Sequence, residues 1–155
     1  MNSYEKLRQV AAEDNIEIIS RPFQSERIRG LYCDGTIAIN QNITTEAEKS
    51  CILAEELGHH YTTTGNILDQ KSDWNRKQEY RARLYGYNLR IGLTGIVEAY
   101  EHGCQSRYEM AEYLEVTEKY LEECICCYRK KYGVCTAVNN YIVYFIPSLT
   151  VCKMV

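Results

Sequence analysis

Leu53-Ala54-Glu55-Glu56-Leu57-Gly58-His59-His60 is the stretch on which the reading of this fold turns. A helix carrying H-E-x-x-H holds a metal ion between two side chains four residues apart, and the glutamate after the first of them activates water at the ion. Here the frame reads E-E-L-G-H, with Glu55 in place of the first histidine and His59 in place of the second. Taken alone, E-E-x-x-H is a common pattern of ordinary acidic helices. Helical spacing puts Ala47, Cys51, Ala54, Glu55, Gly58, His59 and Thr62 on one face. The small residues on that face let another backbone come close, with two potential ligands standing among them.

Upstream, Thr45-Glu46-Ala47-Glu48 is a capping-box signature, so the helix is expected from Thr45 to about Tyr61. Downstream, Thr62 to Asn66 are turn formers, and Ile67 to Gln70 cross as a loop to a second long helix over about Asp73 to Arg90. That helix carries Glu79, Ala82 and Gly86 at helical spacing. Two readings of Glu79 stand: a carboxylate delivered to the metal by a helix docked through Ala82 and Gly86, or a solvated glutamate in a charged helix. Before the motif, Tyr4 to Asp14 reads as a short helix and Ile16 to Ser20 as a strand that Arg21-Pro22 breaks. Gly30 to Asn40 then reads as a hairpin, because Asp34-Gly35 tolerates the positive φ angles of a tight turn.

Past Gly92 the character changes. Thr94 to His102, Ser106 to Leu114 and Thr117 to Tyr132 read as three helices, the last closed by Gly133. The second and third resemble a helix-turn-helix, with Ala111, Leu114, Val116 and Leu121 as its apolar contacts and Thr117 capping its second helix. Val134 to Ala137 and Tyr141 to Ile146 flank Val138-Asn139-Asn140 as a terminal hairpin that could serve as a wing. Groove reading would need positive charge on the second helix, yet residues 93–155 hold eight acidic against six basic side chains. Only Arg129-Lys130-Lys131 clusters, at a helix C-terminus where cations oppose the dipole. Direct nucleic-acid binding is not expected, and a protein-binding or structural use of the tail fits better.

The 155 residues suffice for one ordinary domain with a real core, and 45% hydrophobic against 25% charged residues is the balance of a folded protein. A net charge of -3 argues against bulk attraction to nucleic acid. The first residues lack the apolar run of a signal peptide, and no later run approaches the roughly 20 apolar residues of a spanning helix. A cytoplasmic protein without membrane partners is expected. Its eight cysteines are then reduced, and most are expected to be small core residues. Cys124-Ile125-Cys126-Cys127 could bind metal, but it has no matching second pair at the spacing of a zinc site.

In the metal reading, Glu55, His59 and Glu79 are the ligands and Glu56 is the general base, which later gives its proton to the leaving amine. Glu56 lies about 100° round the helix from Glu55, so it can reach the water without holding the metal. Two carboxylates and one imidazole form a harder, more anionic donor set than two imidazoles and one carboxylate. Manganese therefore competes better with zinc there. His60 keeps three readings: a pair with Glu56 one turn back, a hydrogen bond to substrate, or a place on the surface.

Ile52 to Thr63 followed by Gly65-Asn66-Ile67-Leu68-Asp69 resembles the ImmA/IrrE family of metallo-endopeptidases, found with mobile elements in Gram-positive bacteria. Lys77 to Tyr85 is similar to that family's second helix with its acidic ligand, and Glu112 to Gly133 to the tail of phage-type members. The resemblance implies an α+β fold: a small N-terminal antiparallel sheet with zincin-like active-site helices over 1–92, then a helical tail with a terminal hairpin over 93–155, packed on the first. It implies His59 as a metal ligand, Glu56 as catalytic base, zinc as cofactor, and cleavage of a helix-turn-helix repressor as the activity. Glu55 departs from the family's histidine. A binding module that sequesters the repressor without cutting it is the competing expectation, and a DNA-binding factor using the tail is a third.

Overall fold

The structure, a computed structural model, describes residues 1–62 and 72–154, and for 72–74 the backbone alone. The turn expected over 63–66 and the loop expected over 67–70 lie outside the described residues. The chain forms two compact units, Met1–Arg90 and Ile91–Val155.

The first unit opens with α1 (Ser3–Glu13), capped reciprocally: Glu5 N–H donates to Asn2 Oδ1 at 2.9 Å, and Asn2 N–H to Glu5 Oε2 at 3.1 Å. Three short strands follow, β1 (Glu17–Arg21), β2 (Gly30–Cys33) and β3 (Thr36–Asn40). Asp34 and Gly35 take φ of 46° and 78°, the left-handed geometry that a two-residue hairpin turn demands of both central residues. Strand order is β1-β3-β2, with β2 antiparallel to β3 and β1 parallel to it. The sheet is therefore mixed rather than wholly antiparallel. Residues 22–29 carry the chain to the far edge, so the tight turn returns β3 between β2 and β1, running with β1.

Ile37 and Ile39 of β3 are buried beneath α2 (Glu46–Thr62), whose Ile52, Leu53 and Leu57 face them in the core. Burying each such side chain contributes on the order of 1.5–3 kcal/mol. Thr45 caps α2, its Oγ1 accepting from Glu48 N–H at 3.2 Å, while the Glu48 carboxylate meets Arg29 Nη1 at 3.0 Å. α3 (Ser72–Arg90) packs along α2.

The second unit holds α4 (Gly92–Glu101), α5 (Arg107–Leu114) and α6 (Glu118–Tyr132). Glu115 turns the chain with φ 58°, and Thr117 Oγ1 accepts from Tyr120 N–H at 3.1 Å to start α6. Ala111, Leu114, Val116 and Leu121 are all buried, as a helix-turn-helix pair requires. The expected hairpin is present as β4 (Cys135–Val138) and β5 (Tyr141–Tyr144), and a further strand, β6 (Thr150–Lys153), extends it to an antiparallel sheet ordered β4-β5-β6. Of the cysteines only Cys51 and Cys124 are buried, and all eight are free thiols. The expectation of mostly buried cysteines fails because Cys33, Cys135 and Cys152 stand at exposed positions of strands. No described helix is long and apolar enough to cross a membrane.

Candidate metal centre

Glu55 and His59 lie on successive turns of α2, and α3 brings Glu79 to them. One ligand atom from each falls within 4.8 Å of the others, and among the described residues no other such group forms. His59 Nε2 stands 3.5 Å from Glu79 Oε1, and Arg83 Nε lies 3.7 Å from Glu79 Oε2.

The position of Glu79 follows from how closely the two helices meet. A Cβ built on Gly58 would stand 2.1 Å from Ala82 O, and one on Gly86 2.9 Å from Ala54 O. At both places backbone lies against backbone, so the register of α3 along α2 has almost no freedom. At the far end of the crossing Arg90 Nε donates to Ser50 Oγ at 3.2 Å, a tie that sequence reading missed.

Glu56 points to the other flank, toward β2. A Cβ on Gly30 would come 2.6 Å from Ile52 Cγ2 and 3.3 Å from Glu56 Cγ, so the absent side chain makes room for the stem of Glu56. Burial first, then the neighbouring carboxylates of Glu55 and Glu79, push the Glu56 carboxyl from 4.5 up to about 8. One turn on, His60 Nδ1 and Tyr32 Oη share a hydrogen bond of 2.7 Å, and Gly35 N–H donates to the same hydroxyl at 3.3 Å. This contact, which none of the three readings of His60 included, holds the ring against the strand. Gly30 and Tyr32 were not foreseen. Their signal was the alternation in β2, which puts them on one face and Leu31 and Cys33 on the other.

β2 is an edge strand. Asn40 N–H donates to Arg29 O at 2.7 Å, so Arg29, Leu31 and Cys33 address β3. The N–H and C=O of Gly30 and Tyr32 therefore point to the outer edge, beside Glu56 and His60.

The donor set fits a divalent ion. Two carboxylates and an imidazole converge, and the raised Glu56 registers local negative charge that a cation would offset. The family model described as Peptidase_M78, IrrE N-terminal-like domain, matches residues 11–124. The chain belongs to the Peptidase_M78 family. Neither a curated protein nor a solved structure matches it. As an M78 chain it carries a peptidase-family domain and, across α2 and α3, a three-residue group able to hold a metal. The matched span includes β1–β3, all of α2 and α3, and the helix-turn-helix turn. Within this M78 chain, Glu55 contributes a carboxylate oxygen to that group beside the imidazole of His59.

Proposed function

We propose that this protein is a metal-dependent endopeptidase that cuts a helix-turn-helix repressor in the cytoplasm and so relieves repression of a phage or mobile element. The observation that carries the reading is the convergence of Glu55, His59 and Glu79, with Glu56 half-buried next to Glu55 on the same helix. A divalent ion held by those three residues would supply Lewis acidity to a peptide carbonyl, with zinc the first choice and manganese favoured by the two carboxylates. Glu56 takes the proton from the attacking water and returns it to the leaving amine. The outward N–H and C=O groups of Gly30 and Tyr32 would pair with an extended target segment, and His60, steadied by Tyr32, would hydrogen-bond that segment.

A second reading is favoured by Glu55 itself: a protein that binds and antagonises the repressor without cutting it, because its donor set polarises a carbonyl less than one with two imidazoles. The two part on one experiment. Metal content is measured by mass spectrometry on protein purified without chelator, for wild type, Glu55→Ala and His59→Ala, and repressor cleavage is followed with wild type and Glu56→Gln. Near one zinc or manganese per chain, lost in both ligand variants, with cleavage abolished by Glu56→Gln, is the expected result. Loss of repression that persists in Glu56→Gln, with no metal bound, would overturn the peptidase reading in favour of the antagonist.

A further inference from the structure

We propose that the loop between α4 and α5, with the first turns of α5, forms a binding site for an arginine side chain presented by a partner polypeptide. A hollow of about 490 Å³ lies there, walled by His102, Tyr108 and Tyr113 and rimmed by Glu109 and Glu112. The His102 and Tyr113 rings stack at 4.4 Å between centroids and 22° between planes, which holds both side chains in the lining of the hollow. Tyr108 is 61% exposed and Tyr113 40%, so both side chains are open to a partner group. Glu109 is held in place, its Oε2 accepting from Gln105 N–H at 3.2 Å.

The hollow lacks a cation of its own. No lysine or arginine is among the described residues that line it, and Arg107, beside Tyr108 in sequence, turns away to Glu122 Oε1 at 2.9 Å. A metal ion is a poorer occupant although His102, Cys104, Glu109 and Glu112 are all ligand types. Among the described residues only Glu55, His59 and Glu79 bring such atoms within 4.8 Å of one another. A guanidinium suits both halves of the site, since its plane is weakly hydrated and stacks on rings while its N–H groups pair with carboxylates. An ammonium group keeps its water and stacks less well. Arginine and tyrosine are also the side chains that concentrate binding energy in protein interfaces. The site needs no metal and no cleavage, so it stands or falls separately from the peptidase reading.

The test is a titration of the ¹⁵N-labelled full chain at pH 8 with acetyl-tetra-arginine amide, beside the same peptide built from citrulline, which has the shape without the charge. The expected result is saturable amide shifts confined to residues 102–113, with none from the citrulline peptide. Tyr108→Ala and Tyr113→Leu should each weaken binding about three- to tenfold, whereas Tyr113→Phe, which keeps the ring face, should bind as wild type. Glu112→Gln should weaken it about threefold and steepen the dependence on the remaining carboxylate. Shifts spread along the acidic face of α6, equal binding of the citrulline peptide, or unchanged binding in both tyrosine variants would overturn the proposal. So would the absence of any shift up to about 10 mM peptide.

Discussion

The two units are each organised by a helix pair, and the pairs are packed by different means. In α2–α3 the contact is backbone on backbone, with Gly58 under Ala82 and Gly86 under Ala54, closer than one added methyl allows. Around α5–α6 it is side chains that are buried, Ala111 and Leu114 of α5, Val116 of the turn and Leu121 of α6, and the neighbouring Gly95 of α4 has ordinary room around it. The first kind of packing fixes register to a fraction of an ångström and accepts almost no change. The second tolerates change by repacking. The three residues able to hold a metal lie across the strict pair, where a shift of α3 would carry Glu79 away from Glu55 and His59.

The largest expected effect therefore falls at Gly58. Gly58→Ala gains helix propensity of about 1 kcal/mol. It also drives a methyl to 2.1 Å from Ala82 O, for which the helices must part. A net loss of at least about 4 kcal/mol, with loss of metal binding, is expected. Denaturant unfolding and metal content measure it. A variant that folds and keeps its metal would erase the contrast between the pairs. Leu121→Ala comes next, at about 2–5 kcal/mol, because Leu121 is fully buried in the other pair. Hydrogen exchange should show that loss in α5 and α6, leaving protection in α2 and α3 as in wild type. Gly86→Ala follows at about 1–3 kcal/mol, since its clash with Ala54 O at 2.9 Å is milder. Its metal affinity should fall more than its stability, as Glu79 lies two turns along the same helix.

The strict pair and the hairpin before it were largely legible in the sequence because each of their devices is local. Ala82 and Gly86 recur at helical spacing, Thr45 sits three residues before Glu48, and Asp34-Gly35 is a turn by its own backbone preference. The helix-turn-helix was legible for the same reason, through Thr117 and four apolar positions. What escaped is what only tertiary contact decides. β1 pairs in parallel with β3 because of where residues 22–29 carry the chain, and no local pattern encodes that. Thr150–Lys153 pairs with β5 although it is short and lacks clear alternation. Gly30 makes room for Glu56, and Tyr32 reaches His60, across 26 and 28 residues of sequence, the latter separation being that of their hydrogen bond. The exposed strand cysteines follow from which face of each strand meets the core.

Charge separates the two pairs as well. On α2 the Glu56 carboxyl titrates near 8 rather than 4.5, so the native state holds its proton more tightly than the unfolded chain does. Stability of the metal-stripped protein should then be greatest below about pH 4.5 as far as this group is concerned, and fall as pH rises toward 8. Glu56→Gln removes the penalty. At pH 8 in chelator the variant should be more stable than wild type by roughly 1–3 kcal/mol after allowance for solvent screening, and at pH 5 the two should nearly coincide. Parallel pH-stability curves for the two proteins would show that the burial of Glu56 exerts no such strain.

The smallest effect is the sharpest check on the contrast. Gly95 lies inside α4, and a Cβ there would meet Ile91 Cγ2 at 3.4 Å and Leu114 Cδ2 at 3.5 Å, both ends of apolar side chains rather than backbone. Gly95→Ala replaces the most conformationally free residue in a helix interior with the best helix former and adds apolar contact. A gain of about 0.5–1 kcal/mol is expected. Denaturation midpoints at constant slope measure it. A loss as large as that of Gly86→Ala would mean that the second unit is packed as strictly as the first, and that its side-chain contacts leave no more slack than a pair of touching backbones.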